Sequence, residues 1–406
     1  MSVALGLKRP LVVRTVPVSD PGDLIARLPG VAPHAWVRHG DGLVGWGEAA
    51  SVRVPAGLSG PARFAWARAW LASIFRTAEI DDPVGLPGSG PVAFGSFTFD
   101  PASAAGSTLV VPRTVLARRD GRSWLTTIGE DALDLMTPVR TPGRIRYSDG
   151  ALTAMEWEHA VATAVKEIGG GRLDKVVLAR DLIATADRGI DPRALLARLA
   201  RRYPECYTFS VGGLVGATPE LLVRHTGRAI ESLVLAGTAP TGSDPGDLFG
   251  SEKNQYEHVC AVASVRDALD PLCATLDVPD RPELLVLPNV QHLATRVTGR
   301  LSDGASVLDV VAALHPTAAV GGTPTATALE VIRELEDMDR GGYAGPVGWI
   351  DARGDGEWGI ALRCAAVEGD RARLFAGCGI MGESDPVQEL AEAQAKFRVM
   401  RYALEG

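Results

Sequence analysis

The sequence predicts an α+β fold with many antiparallel strands and helices on the outside. Between residues 207 and 235, four short apolar runs follow one another with only turn residues between them, which reads as a meander. Residues 61–78 instead carry Phe64, Trp66, Ala67, Trp70, Leu71 and Phe75 at helical spacing, an amphipathic helix packed on a sheet. A P-loop, a G-x-G-x-x-G fingerprint, an internal repeat and a low-complexity tract are all absent.

In chain order, residues 35–47 predict a hairpin with Gly40-Asp41-Gly42 at the turn. Residues 94–99 (FGSFTF) and 108–116 predict further strands, and 131–150, with two prolines and several charges, a connector. A helix over 156–168 leads through Gly169-Gly170-Gly171 into a strand over 174–185, where Lys175, Val177 and Ala179 share a face. After a helix over 192–202 comes the meander (207–211, 214–217, 220–225 and 229–235), with Glu220 beside Pro219 at a stiffened corner. A helix over 252–269 carries Glu257 and His258, and residues 289–295 open another strand. A helix starts at Ser306, residues 315–324 form a loop of small residues, and a helix covers 326–336. Strands over 347–352, 358–367 and 372–380 follow, the last two joined by Gly369-Asp370. In the second of these Arg363 shares a face with Ala361 and Ala365. That leaves room for a ligand carboxylate, to which arginine donates two parallel hydrogen bonds.

The final helix is the most informative element. Ser384 or Asp385 can cap it, and Pro386 suits its first position, where a missing N–H costs nothing. Leu390, Ala393, Phe397, Met400 and Leu404 form its buried stripe, while Glu389, Glu392 and Lys396 share a second face at the margin of the first. Two glutamates one turn apart repel each other, and partial burial makes this worse unless a cation sits between them.

With 46% hydrophobic and 22% charged residues, the composition is that of a soluble globular chain, and a net charge of −8 argues against nonspecific nucleic-acid binding. An anionic substrate would need a local basic cluster or a metal. The five cysteines are scattered and show no C-x-x-C spacing, so neither a disulfide framework nor a zinc site is indicated. The absence of a bilayer-spanning apolar run and of a signal-peptide core leads us to expect a cytoplasmic protein with no membrane partner.

Several ordered blocks go further: KVVLAR (175–180), GATPELL (216–222), LAGT (235–238), NVQHLAT (289–295), LHPTAAVGGTP (314–324), DRGGYAGPVGW (339–349), IALR (360–363), GCGI (377–380) and ELAEAQAK (389–396). They resemble the chorismate-utilising enzymes, which include isochorismate synthases, salicylate synthases and the large subunits of anthranilate and aminodeoxychorismate synthases. The likeness spans residues 150–402, with a weaker match in the N-terminal third. It implies a single chorismate-binding domain over residues 1–406, built as two stacked antiparallel sheets with helices outside. Within it, residues 1–130 form a divergent N-terminal segment, residues 131–150 the connector, and residues 151–406 the segment that bears the motifs.

The resemblance also implies Mg²⁺ on Glu257 and Glu392, with Glu389 acting through a bound water. It gives Lys175 as the base that activates water for attack at C2 of chorismate, and Glu220 as the acid for the departing C4 hydroxyl. Arg363 and the Gly377 N–H would hold the enolpyruvyl carboxylate, with Tyr343 beside them and Lys396 adding charge near the ring carboxylate. His292 would orient groups near C4, Thr238 would line the pocket, and Ala319 and Val320 would form a small apolar wall.

Within the family, lysine at 175 and alanine at 236 count against the ammonia-using members, and the 315–320 block is most like isochorismate synthases. Ala239 departs from many relatives, which have arginine there. The expected activity is isomerisation of chorismate to isochorismate by a monomer without a glutaminase subunit. The alternatives are a salicylate synthase, which also expels pyruvate, and a non-catalytic chorismate-binding paralogue.

Overall fold

Two largely antiparallel sheets stack on each other in the computed structural model, which describes residues 10–30, 32–129, 136–286 and 290–406. Residues 1–9 of the N-terminal segment, residues 131–135 of the expected connector and Asn289 of the NVQHLAT block lie outside the described residues. In the larger sheet, neighbouring strands run Ile145–Asp149, Lys175–Ala186, Arg371–Ile380, Cys364–Glu368, Leu214–Thr218 and Tyr207–Val211, and then pass to the N-terminal strand His34–Arg38. In the smaller sheet, Ala229–Pro240 lies between Val290–Leu301 and Leu221–Thr226, and Pro346–Asp351 joins the N-terminal strand Val92–Ser96. Both sheets are thus continued by N-terminal strands, through Phe209↔Trp36 in one and Trp349↔Phe94 in the other.

Trp36, Phe94, Phe97, Phe209, Trp349 and Trp358 are all fully buried in the core. Trp36 Nε1 also donates to the buried Glu357 across the sheets at 2.8 Å. Helices Ala154–Gly169, Pro192–Arg202 and Pro386–Glu405 cover the larger sheet, and Glu252–Leu269 and Val307–Leu314 cover the smaller. Local chemistry sets their ends. Thr153 and Glu156 form a capping box, as do Ser306 and Asp309. At the final helix Asp385 is the cap, accepting from Gln388 N–H, while Ser384 donates instead to Glu389 at 2.7 Å. The stripe of Leu390, Ala393, Phe397, Met400 and Leu404 is buried as expected. Among the described residues, no helix is long and apolar enough to cross a membrane.

Two local expectations are corrected. The first hairpin turns at His39-Gly40, not at Gly40-Asp41-Gly42, because Arg38 pairs with Asp41 and both turn residues adopt positive φ (51° and 80°). The strand expected over 358–367 is two strands in different sheets, Gly356–Ile360 in the smaller and Cys364–Glu368 in the larger. Between them Ala361 N–H donates to Gly345 (2.9 Å), Leu362 N–H turns back to Ile360 (2.8 Å), and Arg363 takes φ +50°. Alternation cannot run through a corner where the chain changes sheet, so Arg363 shares no strand face with Ala361 and Ala365. A positive φ on a non-glycine residue is costly and persists only where its surroundings hold it.

Candidate functional site

Every residue singled out in the sequence lines one cavity of about 190 Å³: Lys175, Glu220, Thr238, Glu257, His292, Ala319, Val320, Tyr343, Arg363, Gly377, Glu389, Glu392 and Lys396. It lies where strands Lys175–Ala186 and Arg371–Ile380 meet helices Glu252–Leu269 and Pro386–Glu405 and the corner at Arg363.

Lys175 opens its strand, nearly buried, with Nζ 2.5 Å from Glu257 Oε1. Glu257 is held there partly by its neighbour. His258 Nδ1–H donates to the Ala236 carbonyl (3.1 Å), so Nε2 accepts from the Thr295 hydroxyl (2.7 Å), and the helix is locked to the smaller sheet. Glu220 follows a corner fixed by Thr218, whose hydroxyl donates to the Ile360 carbonyl (2.6 Å) and accepts from Glu220 N–H (3.2 Å). Burial pushes the Glu220 carboxyl up to about 7, although Lys175 and Arg363 both pull it back. It is therefore partly protonated at neutral pH.

His292 Nδ1 is 2.9 Å from the Thr238 hydroxyl, a pairing set by a bulge at Gly237, where φ is +76°. Burial depresses His292 to about 3, aided by Arg363 and Lys396. It is neutral at neutral pH, with one ring nitrogen able to donate and the other to accept a hydrogen bond. Thr238 sits at the exposed rim.

Gly377 is required by close approach. A Cβ there would lie 2.9 Å from the Leu178 carbonyl and 3.1 Å from the Tyr343 hydroxyl. Its strand partner Ala179 turns its N–H to Glu336 and its carbonyl to Trp157, so the two residues do not bond across the ladder. The Gly377 carbonyl therefore points away from Ala179, to Lys396 Nζ at 2.7 Å, and its N–H points the same way. Tyr343 is fixed by stacking on Phe375 at 5.1 Å between ring centroids. Gly377→Ala is expected to cost about 1–3 kcal/mol of stability through overpacking and to weaken binding of an anionic ligand. A denaturation midpoint and a ligand titration check both.

Glu257 and Glu392 are each paired with a lysine, whereas Glu389 accepts from the Ser384 hydroxyl. Glu392 Oε1 lies 2.6 Å from Lys396 Nζ. Burial opposes its ionisation most strongly, but Lys396, Arg363 and Cys378 together hold the carboxyl below its usual value. Potential ligand atoms of Cys378, Glu389 and Glu392 lie within 4.8 Å of one another, while Glu257 is held on Lys175. Burial drives the Cys378 thiol far up, and it donates to the Glu389 carbonyl (3.3 Å), so sulfur is not a ligand for a hard cation. The remaining carboxylate oxygens suit a divalent cation such as Mg²⁺.

Arg340, Asn254, Leu362 and Phe375 also line the cavity but were not singled out in the sequence. Asn254 sits one turn before Glu257, so helical spacing could have found it. Arg340 lies inside the DRGGYAGPVGW block, but nothing local shows where its side chain goes.

The description "Chorismate binding enzyme" belongs to the family model that matches residues 136–405. The chain is 36% identical over 354 residues to isochorismate synthase MenF of Bacillus subtilis (strain 168), covering 78% of this chain and 75% of that protein. It is 38% identical over 362 residues to the salicylate biosynthesis isochorismate synthase of Pseudomonas aeruginosa, covering 78% and 75%. The structure of MenF, the menaquinone-specific isochorismate synthase from Escherichia coli, superposes with a TM-score of 0.80 at 26% identity, covering 98% of this chain and 97% of that one. With this sequence match, this fold and a cavity lined by carboxylates, lysines and arginines, the chain belongs to the chorismate-binding enzymes.

Proposed function

We propose that this protein isomerises chorismate to isochorismate in a Mg²⁺-dependent reaction. The carrying observation is that Lys175 and the buried, elevated carboxyl of Glu220 line the same small cavity as Arg363. A base and an acid are what the exchange of one hydroxyl for another requires: water loses a proton as it attacks C2, and the C4 hydroxyl gains one as it leaves.

Lys175 takes the proton from the attacking water. Glu220, protonated, delivers its own to the departing oxygen. Arg363 donates two parallel hydrogen bonds to the enolpyruvyl carboxylate, with the Gly377 N–H beside it. Neutral His292, oriented by Thr238, binds near C4 without exchanging a proton. Glu389 and Glu392, joined by Glu257 once it is drawn off Lys175 so that the lysine can serve as a free amine, would hold Mg²⁺, which supplies positive charge to the ring carboxylate when bound.

Ala319 and Val320 wall the pocket with small apolar side chains, which offer no group to hold the product for pyruvate loss. Incubation with chorismate and Mg²⁺, followed by product separation, tests the reading. Isochorismate without pyruvate is expected. Stoichiometric pyruvate and salicylate would move the protein to the salicylate synthases, and absence of turnover would overturn the catalytic reading.

A further inference from the structure

Strand Lys175–Ala186 pairs along most of one edge with Arg371–Ile380, but its other edge is covered in separate pieces. Thr323 and Gly322 pair with Lys175 and Val176, the Gly321 carbonyl takes Val177 N–H (2.9 Å), and Ile145–Asp149 pairs only from Leu182 onward. In the gap, the Val177 carbonyl and the Ala179 N–H meet a pair of side chains instead of a strand. Arg340 Nη2 donates to Val177 at 2.6 Å, and Glu336 Oε1 accepts from Ala179 at 2.7 Å.

The two side chains also bind each other, through Arg340 Nε to Glu336 Oε2 (2.8 Å) and Nη2 to Oε1. Arg340 Nη1 donates to the Val320 carbonyl (3.0 Å), and the guanidinium lies 4.2 Å from the Phe99 ring centroid. Glu336 and Arg340 are only 2% and 3% exposed. Burying an ion pair costs so much solvation that apolar replacements of equal volume often serve stability as well. This pair uses its donors and acceptors on the backbone of the Lys175 strand and of the pocket wall.

We infer that Glu336 and Arg340 are positioning residues that set the spacing between Lys175 and the Val320 wall. The inference rests on the chorismate reading above. A fork of planar donors reaching Val177 and Val320 together fixes the base relative to the surface against which the substrate ring lies. Loosening it leaves the carboxylate-binding groups in place while the base drifts from the water it must activate.

Glu336→Gln keeps the side-chain shape and one accepting oxygen. Arg340→Lys keeps the charge and loses the fork. Each is compared with wild type for folding by circular dichroism, for chorismate affinity by calorimetry, for kcat per folded molecule and for pyruvate released per turnover. We expect kcat to fall about 10–100-fold in both, as for reacting groups misplaced by roughly 1 Å, with affinity changed less than about threefold. The pyruvate fraction should rise as the wall shifts. A purely structural pair would lower the unfolding midpoint and leave kcat and product ratio of the folded protein unchanged, which overturns the inference. Arg340→Lys at wild-type kcat overturns the role of the fork. Should Arg340→Lys fail to fold, the isosteric Glu336→Gln decides alone. Wild-type protein that does not turn over chorismate overturns the underlying reading as well. Wild-type turnover with unaltered variants overturns the positioning role only.

Discussion

Glu220→Gln is expected to lower kcat about 10²–10⁴-fold, equivalent to roughly 3–5 kcal/mol in the barrier, with little change in chorismate affinity. Glutamine fills the same space but has no acidic proton for the departing hydroxyl. Affinity should be spared because, on the proposed reading, Arg363 and Gly377 would carry the carboxylate contacts. The pH profile separates this role from a structural one. Burial holds the carboxyl near 7, so the protonated acid is lost as pH rises through that value, and wild-type turnover should decline there. In Glu220→Gln that alkaline limb should vanish; if it persists unchanged, the acid is another residue.

The same shift has a stability consequence. Between the unperturbed value of 4.5 and about 7, the folded chain holds this proton more tightly than the unfolded chain. The contribution of Glu220 to stability is therefore fully present below 4.5 and is lost as pH rises through 7, a loss that Glu220→Gln should not show. Lys175→Ala should cost a similar factor in turnover, and the two losses should not add if, as proposed, both groups act in one displacement. A Lys175→Ala enzyme at wild-type turnover would show that the wrong base was assigned.

Removal of divalent cation by a chelator should abolish activity, and added Mg²⁺ should restore it. Glu392→Gln should abolish turnover and the heat of Mg²⁺ binding while the protein remains folded. The fold is expected to survive because the Glu392 side chain is 46% exposed, so its contact with Lys396 is worth about 1 kcal/mol or less after solvent screening. Lys396 would still donate to the Gly377 carbonyl. Full metal-free activity of Glu392→Gln would sink the assignment of Glu392 to a metal site.

Much of this site was legible in the sequence because its components are local. Two turns of helix put Glu389, Glu392 and Lys396 on one face. A proline after Asp385 starts that helix, and ordered blocks carry Lys175, Glu220 and Arg363. The corner at Arg363 was not legible. Alternation describes a strand only while the chain stays in one sheet, and nothing near residues 361–363 states that the chain passes from one sheet to the other there.

Local patterning therefore decides which side chains face the interior and where helices and strands begin. Distances between remote segments are set by sheet register and by which backbone groups lack a strand partner. Lys175 meets Glu257 from 82 residues away, and Glu220 acquires its elevated carboxyl only when the stacked sheets exclude water around it. Glu336 and Arg340 find their roles only where strand Lys175–Ala186 lacks a neighbour, a vacancy created by pairing between distant segments of the chain. No short-range pattern encodes such a vacancy, because it depends on where other strands stop.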